Sequence, residues 1–215
     1  MSADVVVVGC GGHGREVLGI IDAVNRASAA GPPWRVLGFV DDAPSEANRK
    51  RVARLGHAYL GPTTVLATLP PRTHVAVGIG VPAARRAVVE RIDGYGLPAA
   101  DLVHPDATVG PDARHGEGLL VFPGARVTTN VTMGRHVHLN QNVTVGHDCV
   151  LGDLVSVNPL AAVSGNCRID SGALVGAGAV VLEGRRVGTH ATVGAAACVV
   201  RDVPPHTVVK GVPAR

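Results

Sequence analysis

The C-terminal half of the chain repeats a large aliphatic residue at every sixth position from Val121 to Val199. A smaller apolar residue follows each of them four positions later, from Ala125 to Ala197, and only Arg185 breaks that second series. Neither an α-helix nor hairpins with loops of variable length would keep this phase, whereas a β-solenoid with six residues per side requires it. The pattern therefore predicts a β-helix of roughly five three-sided coils.

The upstream end of the repeat and its corners are also visible in the pattern. Val109 keeps the phase, and His115 interrupts it where we expect a loop around Gly116 and Gly118. The residue directly after each aliphatic one is often glycine or asparagine, so we expect these residues to form the corners with a left-handed backbone. They are Gly110, Gly134, Asn140, Gly146, Gly152, Asn158, Gly176 and Gly188.

The N-terminal half has a different pattern. The apolar run from Asp4 to Val8 predicts a buried parallel strand, and apolar residues at helical spacing follow from Arg15 to Ala27. Further predicted elements are strands over 35–40 and 74–80, a helix over 82–95 and a short last strand over 97–103. We expect a small Rossmann-like α/β domain over residues 1–104, half the size of a dinucleotide fold, and the β-helix over residues 105–215.

Composition narrows the class of protein. One Trp, two Tyr and two Phe leave burial to Val, Ala and Leu, as a narrow prism requires. The net charge of +3 is small and dispersed, which argues against a nucleic-acid partner. Neither a stretch of 18 apolar residues nor a signal peptide is present, so we expect a soluble cytoplasmic protein without a membrane partner.

The four cysteines do not form a metal-binding or redox motif. Cys10, Cys149, Cys167 and Cys198 show no CxxC spacing. Cys149 and Cys167 are 18 residues apart, which is three hexapeptides, so they should stack in successive coils. We expect both to be buried and reduced, and we expect no metal site.

A glycine loop joins the first strand to the first helix. Its sequence is Gly9-Cys10-Gly11-Gly12-His13-Gly14, and bare backbone N–H groups at a helix N-terminus favour an anion. The same glycines could serve only the turn and its packing. Asp41 and Asp42 end the second strand, where carboxylates could accept hydrogen bonds from a ribose or a base, or act as turn residues.

Several motifs along the chain carry a resemblance to one family. They are the glycine loop with His13, the strand end Phe39-Val40-Asp41-Asp42, the segment Val77-Gly78-Ile79-Gly80 with Arg85, and the repeat segment from Gly146 to Asp153. In these motifs the chain resembles the bacterial sialic acid O-acetyltransferases and nucleotide-sugar N-acetyltransferases, which are hexapeptide-repeat acyltransferases with a left-handed parallel β-helix. The resemblance implies a homotrimer that transfers acetyl directly from acetyl-CoA to the amine of a nucleotide-linked aminodeoxy sugar.

The resemblance also implies a set of site residues. His147 would be the general base, since an imidazole with a pKa near neutrality can take a proton from an attacking amine, and Asp148 would orient it. Ser156 stands where some family members carry a second histidine. The implied substrate-binding residues are Gly11, Gly12, His13, Gly14, Asp41, Asp42, Gly80, Arg85 and Asn140. Acetyl-CoA would lie along Gly165, Ala177 and Ala195, between neighbouring prisms, with Gly165 N–H holding the oxyanion.

Four other interpretations remain open on the sequence. A sugar O-acetyltransferase would use the same histidine base, and a non-catalytic protein would bind the nucleotide-sugar without turnover. A metal-dependent hydratase like γ-carbonic anhydrase would need His136, His138 and His147 to converge on zinc, although their spacing does not match that family. A site for NAD matches the pattern Gly9-x-Gly11-x-x-Gly14 only formally.

Overall fold

The computed structural model describes residues 2–215, and the chain divides into two compact units. The first unit contains the residues up to Gly80 together with Ala84–Leu102, and the second contains Val81–Ala83 together with Val103–Arg215. Within residues 2–215, no helix is both long and apolar enough to cross a bilayer.

The first unit is built on a parallel sheet of four strands in the order β3-β2-β1-β4. The strands are β1 (Ala3–Val8), β2 (Trp34–Val40), β3 (Tyr59–Gly61) and β4 (His74–Val77), and the chain's helices are α1 (Gly12–Ala27), α2 (Glu46–Arg54) and α3 (Pro82–Ile92). Short 3₁₀ helices occur at Thr63–Thr68 and Asp93–Tyr95. Val5 to Val8 are buried, and α1 buries Val17, Leu18, Ile20 and Ile21. The apolar run and the helix that the sequence predicts therefore provide much of this core.

Two elements of this unit were not predicted, and one prediction was wrong. Helix α2 is almost entirely polar and buries only Val52, so no apolar period indicates it. The feature of the sequence that marks the start of α2 is the N-cap residue Ser45, whose Oγ accepts a hydrogen bond from Asn48 N at 3.2 Å. Strand β3 has only three residues. The predicted strand over 97–103 is reduced to an isolated bridge between Val75 and Ala99 and to the two residues of β5 (Leu102–Val103).

The second unit is a three-sided parallel β-helix in which each strand has two residues. Its strands after β5 are β6 (Thr108–Val109), β7 (Arg114–His115), β8 (Leu120–Val121), β9 (Arg126–Val127), β10 (Thr132–Met133), β11 (His138–Leu139), β12 (Thr144–Val145), β13 (Val150–Leu151), β14 (Ser156–Val157), β15 (Ala162–Val163), β16 (Arg168–Ile169), β17 (Leu174–Val175), β18 (Val180–Val181), β19 (Arg186–Val187), β20 (Thr192–Val193), β21 (Cys198–Val199) and β22 (Val208–Val209). They form a five-stranded side (β7, β10, β13, β16, β19), a six-stranded side (β6, β9, β12, β15, β18, β21) and a seven-stranded side (β5, β8, β11, β14, β17, β20, β22). The predicted fold, a small α/β domain followed by a left-handed parallel β-helix, is confirmed.

The core of the β-helix follows the period of six. Every large aliphatic position from Val121 to Val199 is buried, and so is every small apolar position of the second series. Cys149 and Cys167 are buried and free, as predicted. Arg185 keeps part of its surface exposed and donates from Nε to Glu183 O at 3.2 Å. The sequence pattern therefore predicts the inward residues correctly, including the one exception.

The predicted corner backbone is wrong in position. The left-handed residues lie three positions after the aliphatic one, as at Asn142 (φ 57°) and Asp148 (φ 60°), and not directly after it. Glycine directly after the aliphatic residue is required for another reason. A Cβ on Gly146 would lie 2.6 Å from Gly165 N of the next coil. Glycine is needed there for close approach of stacked coils. Asn140 stands at the equivalent step of the repeat and does not have a positive φ, so relief of left-handed strain does not explain this asparagine.

Candidate active site

His147 and Asp148 form a pair at the turn between β12 and β13. His147 Nδ1 and Asp148 Oδ2 are 2.7 Å apart, and the His147 side chain is 52% exposed. Neighbouring side chains on a straight strand point to opposite faces. The positive φ of Asp148 removes that constraint and lets its carboxylate reach the imidazole. The predicted pair is therefore brought together by the backbone of this corner.

Hydrogen bonding fixes the protonation of this pair. A carboxylate only accepts, so Nδ1 of His147 carries the hydrogen and Nε2 keeps a free electron pair. The hydrogen bond to Asp148 raises the pKa of His147, and the charge of Glu183 adds to this. The pKa of Asp148 is lowered, first by a hydrogen bond from Asn130 and then by the bond from His147. The carboxylate stays ionised and would stabilise a charged imidazole.

Asn130 is a member of this site that sequence reasoning missed. Its Nδ2 donates to Asp148 Oδ1 at 2.6 Å, so it holds the carboxylate from the side away from His147. The signal was present in the repeat, because Asn130 precedes Asp148 by 18 residues and therefore lies one coil below it. The register of stacked strands shows this spacing throughout, for example Thr144 beside Ala162.

Gly165 lies one coil above His147 at the same corner. Asn166 N donates to His147 O at 2.8 Å, which stacks the two turns. A Cβ on Gly165 would lie 2.5 Å from both Cε1 and Nε2 of His147, so the imidazole occupies the space that a side chain would need. Within residues 2–215, Gly165 N–H donates no backbone hydrogen bond. The free nitrogen of His147 and a backbone donor therefore share one corner.

The other residues predicted for this site lie at a different corner of the same prism. Asn140, Ala177 and Ala195 occupy the turns between the seven-stranded and six-stranded sides, at the far edge of the six-stranded side from His147. Ala177 and Ala195 are exposed, whereas Asn140 is buried and donates from Nδ2 to Val157 O at 2.9 Å. A single chain does not bring these three residues to His147.

The first unit contains a cavity of about 420 Å³ at the glycine loop. Six of the predicted binding residues line it: Gly11, Gly12, His13, Asp41, Asp42 and Gly80. Gly14, which was also predicted, does not line the cavity, whereas Gly78 does. The glycines of the loop serve two purposes. A Cβ on Gly14 would lie 1.9 Å from Gly9 O, so Gly14 is required for packing, but a Cβ on Gly11 or Gly12 would project into open space.

The N-terminus of α1 faces the same loop. Gly11 is the N-cap and has no side-chain cap, and the first hydrogen bond inside the helix runs from Arg15 N to Gly11 O at 3.2 Å. The first turn of a helix leaves N–H groups without helical partners, and these favour an anion. His13 lies against Gly80, and burial lowers its pKa, so its imidazole is neutral at neutral pH.

Asp41 and Asp42, which directly follow β2, fix the walls of this cavity. Asp41 Oδ2 accepts from Cys10 N at 2.7 Å, which ties the glycine loop to β2. Asp42 accepts from the backbone and hydroxyl of Thr63 and from Arg91. Burial raises the pKa of Asp42, but these hydrogen bonds together with Arg91 outweigh burial and leave the pKa below its usual value.

Arg85, which the resemblance implies as a substrate-binding residue, does not line the cavity. Its side chain is fully buried, and Nη1 donates to Ile79 O at 2.7 Å and to Gly80 O at 3.0 Å. Burial lowers the pKa of Arg85 to about 9. Arg85 therefore fixes the turn that forms one wall of the cavity, and its effect on a ligand is indirect.

Within the part of the chain that the structure describes, no three His, Cys, Asp or Glu side chains are arranged to hold a metal ion. His136 and His138 are buried, whereas His147 is half exposed. Ser156 is buried on β14, in the seven-stranded side, and so is not at the corner of His147.

Comparison with known proteins identifies relatives of this chain. A family model described as the PglD N-terminal domain matches residues 4–92. The chain is 30% identical over 143 residues to the GDP-perosamine N-acetyltransferase of Escherichia coli O157:H7, a match over 66% of this chain and 62% of that protein. The match thus spans less than two thirds of the length of this curated relative.

Two solved structures match over nearly their full length. The acetyltransferase domain of PglB from Neisseria gonorrhoeae FA1090, in complex with acetyl coenzyme A, is 31% identical with a TM-score of 0.86, over 100% of this chain and 99% of that one. PerB from Caulobacter crescentus, in complex with CoA and GDP-perosamine, is 29% identical with a TM-score of 0.87, over 99% and 96%. The chain belongs to the sugar N-acetyltransferase family of hexapeptide-repeat acyltransferases.

Proposed function

We propose that this protein transfers the acetyl group of acetyl-CoA to the amino group of a nucleotide-linked aminodeoxy sugar, with His147 as the general base. The observation that carries the proposal is the corner at which His147 Nδ1 bonds Asp148 and the His147 ring lies against Gly165. Both relatives with solved structures support the donor, since one holds acetyl coenzyme A and the other holds CoA.

The chemistry follows from the protonation of His147. The neutral amine attacks the thioester carbonyl carbon, and His147 Nε2 takes the proton that the amine loses. Asp148 stabilises the imidazolium that forms, and Gly165 N–H donates to the oxyanion of the tetrahedral intermediate. When the C–S bond breaks, the proton on the imidazole goes to the departing sulfur, which leaves as the CoA thiol.

A covalent enzyme intermediate has no place in this scheme. The cysteine nearest in sequence to His147 is Cys149, which is buried and donates from Sγ to Ser164 O at 3.1 Å. The neighbouring Cys167 side chain and burial both raise the pKa of the Cys149 thiol. A thiol that is buried and protonated does not act as a nucleophile, so the transfer is direct.

The glycine-loop cavity suits the nucleotide-sugar. The open space over Gly11 and Gly12 lets a diphosphate approach the N-terminus of α1, with Gly14 needed for packing behind it. Asp41 and Asp42 retain lone pairs for a ribose or a base, and neutral His13 can donate or accept at the sugar side. The structure of PerB with GDP-perosamine supports a nucleotide-linked amino sugar as the acceptor.

The acetyl-CoA site is completed by a second copy of the chain in a homotrimer. His147 and Gly165 occupy one edge of the six-stranded side, and Asn140, Ala177 and Ala195 occupy the other. Exposed apolar residues flank this side, namely Leu160, Leu182 and Val200. Three prisms around a three-fold axis would bring one edge of each against the other edge of the next. Such an enzyme would work in the cytoplasm, where acetyl-CoA is supplied.

The acceptor is tested with purified protein and a panel of sugars. Free-thiol release from acetyl-CoA is measured with UDP-, dTDP- and GDP-linked 4-amino-6-deoxy sugars, beside the same sugars with a hydroxyl at that carbon and free sialic acid. We expect turnover with one amino sugar and a product heavier by one acetyl group on nitrogen. Turnover only with a hydroxyl acceptor would replace this proposal by O-acetyl transfer, and binding without turnover would make the protein a carrier.

A further inference from the structure

One carboxylate interrupts a column of glycines on the five-stranded side. The residue after the second strand position on this side is glycine in four coils, and Asp170 stands among them. The glycines are Gly116, Gly134, Gly152 and Gly188. A Cβ on Gly152 would lie 2.5 Å from Ser171 N, which shows how little room this column has. Asp170 is nevertheless accommodated and is only 5% exposed.

The buried carboxylate of Asp170 holds two arginines. Arg168 Nε donates to Asp170 Oδ1 and Arg186 Nε donates to Asp170 Oδ2, both at 2.8 Å. The two arginine side chains are stacked in register on β16 and β19 and remain 60% and 56% exposed. Each guanidinium is therefore fixed in direction through its Nε, while most of its surface stays open.

Two guanidinium groups share one carboxylate in this cluster. Elsewhere on the β-helix, Arg114 pairs with Asp112 and Arg135 pairs with Glu117, one cation to one anion. The guanidinium groups of Arg168 and Arg186 share the single carboxylate of Asp170, and Asp202 Oδ1 accepts from the backbone N of Arg186 at 2.9 Å. They border a cleft of about 150 Å³ whose other lining residues include Ser171 and Thr189. Fixed guanidinium groups beside hydroxyls suit a phosphate, which they bind through paired hydrogen bonds.

We propose that Arg168 and Arg186, held by Asp170, bind a phosphate group at the adenosine end of the acetyl-CoA donor. This inference rests on the proposed function, which has the acetyl end at His147 and Gly165. Arg168 follows Gly165 by three residues, and Arg186 lies one coil further. Stacked strands are about 4.8 Å apart, so the pair lies about 5 to 10 Å along the axis from the coil of His147. The long pantetheine arm separates the thioester from the phosphates and spans such a step.

The test compares donors with and without the adenosine phosphates. The KM is measured for acetyl-CoA and for acetylpantetheine with wild type, Arg168→Gln, Arg186→Gln and the control Arg114→Gln. We expect each of the first two variants to raise the KM for acetyl-CoA about tenfold, the equivalent of about 1.4 kcal/mol. The KM for acetylpantetheine and the KM for the nucleotide-sugar should stay unchanged in all variants, and the control should behave as wild type.

A binding measurement separates this inference from the proposed function. Calorimetry with adenosine 3′,5′-bisphosphate needs no acetyl transfer, and we expect weaker binding to Arg168→Gln and Arg186→Gln but not to Arg114→Gln. Loss of this difference, or an equal effect on acetylpantetheine, would overturn the inference. A raised KM for the nucleotide-sugar alone would assign the cluster to the acceptor, and a changed oligomeric state would assign it to a subunit contact; both results contradict the proposal. Arginine-dependent binding without any acetyl transfer would support the phosphate site and refute the proposed function.

Discussion

Substitution of Gly165 by alanine should strongly lower activity while the fold is kept. The added Cβ would lie 2.5 Å from Cε1 and Nε2 of His147, whereas carbon contacts are ordinarily about 3.5 Å or longer. The imidazole would have to move by about 1 Å, and its hydrogen bond to Asp148 would be lost or distorted. A misplacement of about 1 Å at a reacting group costs on the order of a hundredfold in rate, so we expect kcat/KM to fall by about that factor. The ring can move into solvent, so the melting temperature should change little.

Two comparisons isolate this effect in a thiol-release assay combined with thermal unfolding. Gly146→Ala places a Cβ 2.6 Å from the backbone N of Gly165, which cannot move aside as a side chain can, so that variant should lose about 1–3 kcal/mol of stability. In a His147→Ala background the methyl group on Gly165 displaces no imidazole, and Gly165→Ala should then cost no further activity. Full activity in Gly165→Ala, or the same additional loss without His147, would refute this account of the corner.

Three further predictions concern the same two sites. Asn130→Gly keeps the left-handed backbone but removes the 2.6 Å hydrogen bond to Asp148, and we expect kcat to fall about five- to tenfold in a thiol-release assay with little change in melting temperature. Asp148→Asn removes the cause of the raised pKa of His147; because the base must be neutral, activity in wild type is lost as the pH falls through a pKa above 6.5, and a pH–rate profile of the variant should place that loss at lower pH. Gly11→Ala should weaken nucleotide binding by calorimetry without affecting thermal unfolding, whereas Gly14→Ala, with its Cβ 1.9 Å from Gly9 O, should unfold at lower temperature; equal stability of the two variants would contradict the division of the loop into binding and packing glycines.

The β-helix could be predicted almost completely because its core is one-dimensional. A residue at a given step of the repeat has the same surroundings in every coil, so Val121 to Val199 could be assigned to the core from spacing alone. The backbone of the corners could not be predicted in the same way, because glycine satisfies two different demands. At Gly146 it allows close approach of the next coil, and a glycine in the sequence does not distinguish this from a positive φ.

The site was predictable where residues are neighbours in sequence or separated by one coil. His147 and Asp148 are adjacent, and Asn130 could have been found from the 18-residue spacing. Arg85 could not be assigned from sequence, since helical spacing does not show that its guanidinium is buried under the Ile79–Gly80 turn. The α2 helix was missed because a polar helix that begins at a side-chain cap leaves no apolar period in the sequence.

The most direct test of the account is single-turnover thiol release by wild type and by His147→Ala with the accepted amino sugar. We expect wild type to release one CoA thiol per site only when the amino sugar is present, and we expect the variant to bind both substrates but to be slower by a factor on the order of 10² to 10⁴. Release of thiol without the acceptor, with acetyl left on the protein, would contradict direct transfer. A His147→Ala rate equal to wild type would contradict the central claim that His147 takes the proton from the amine.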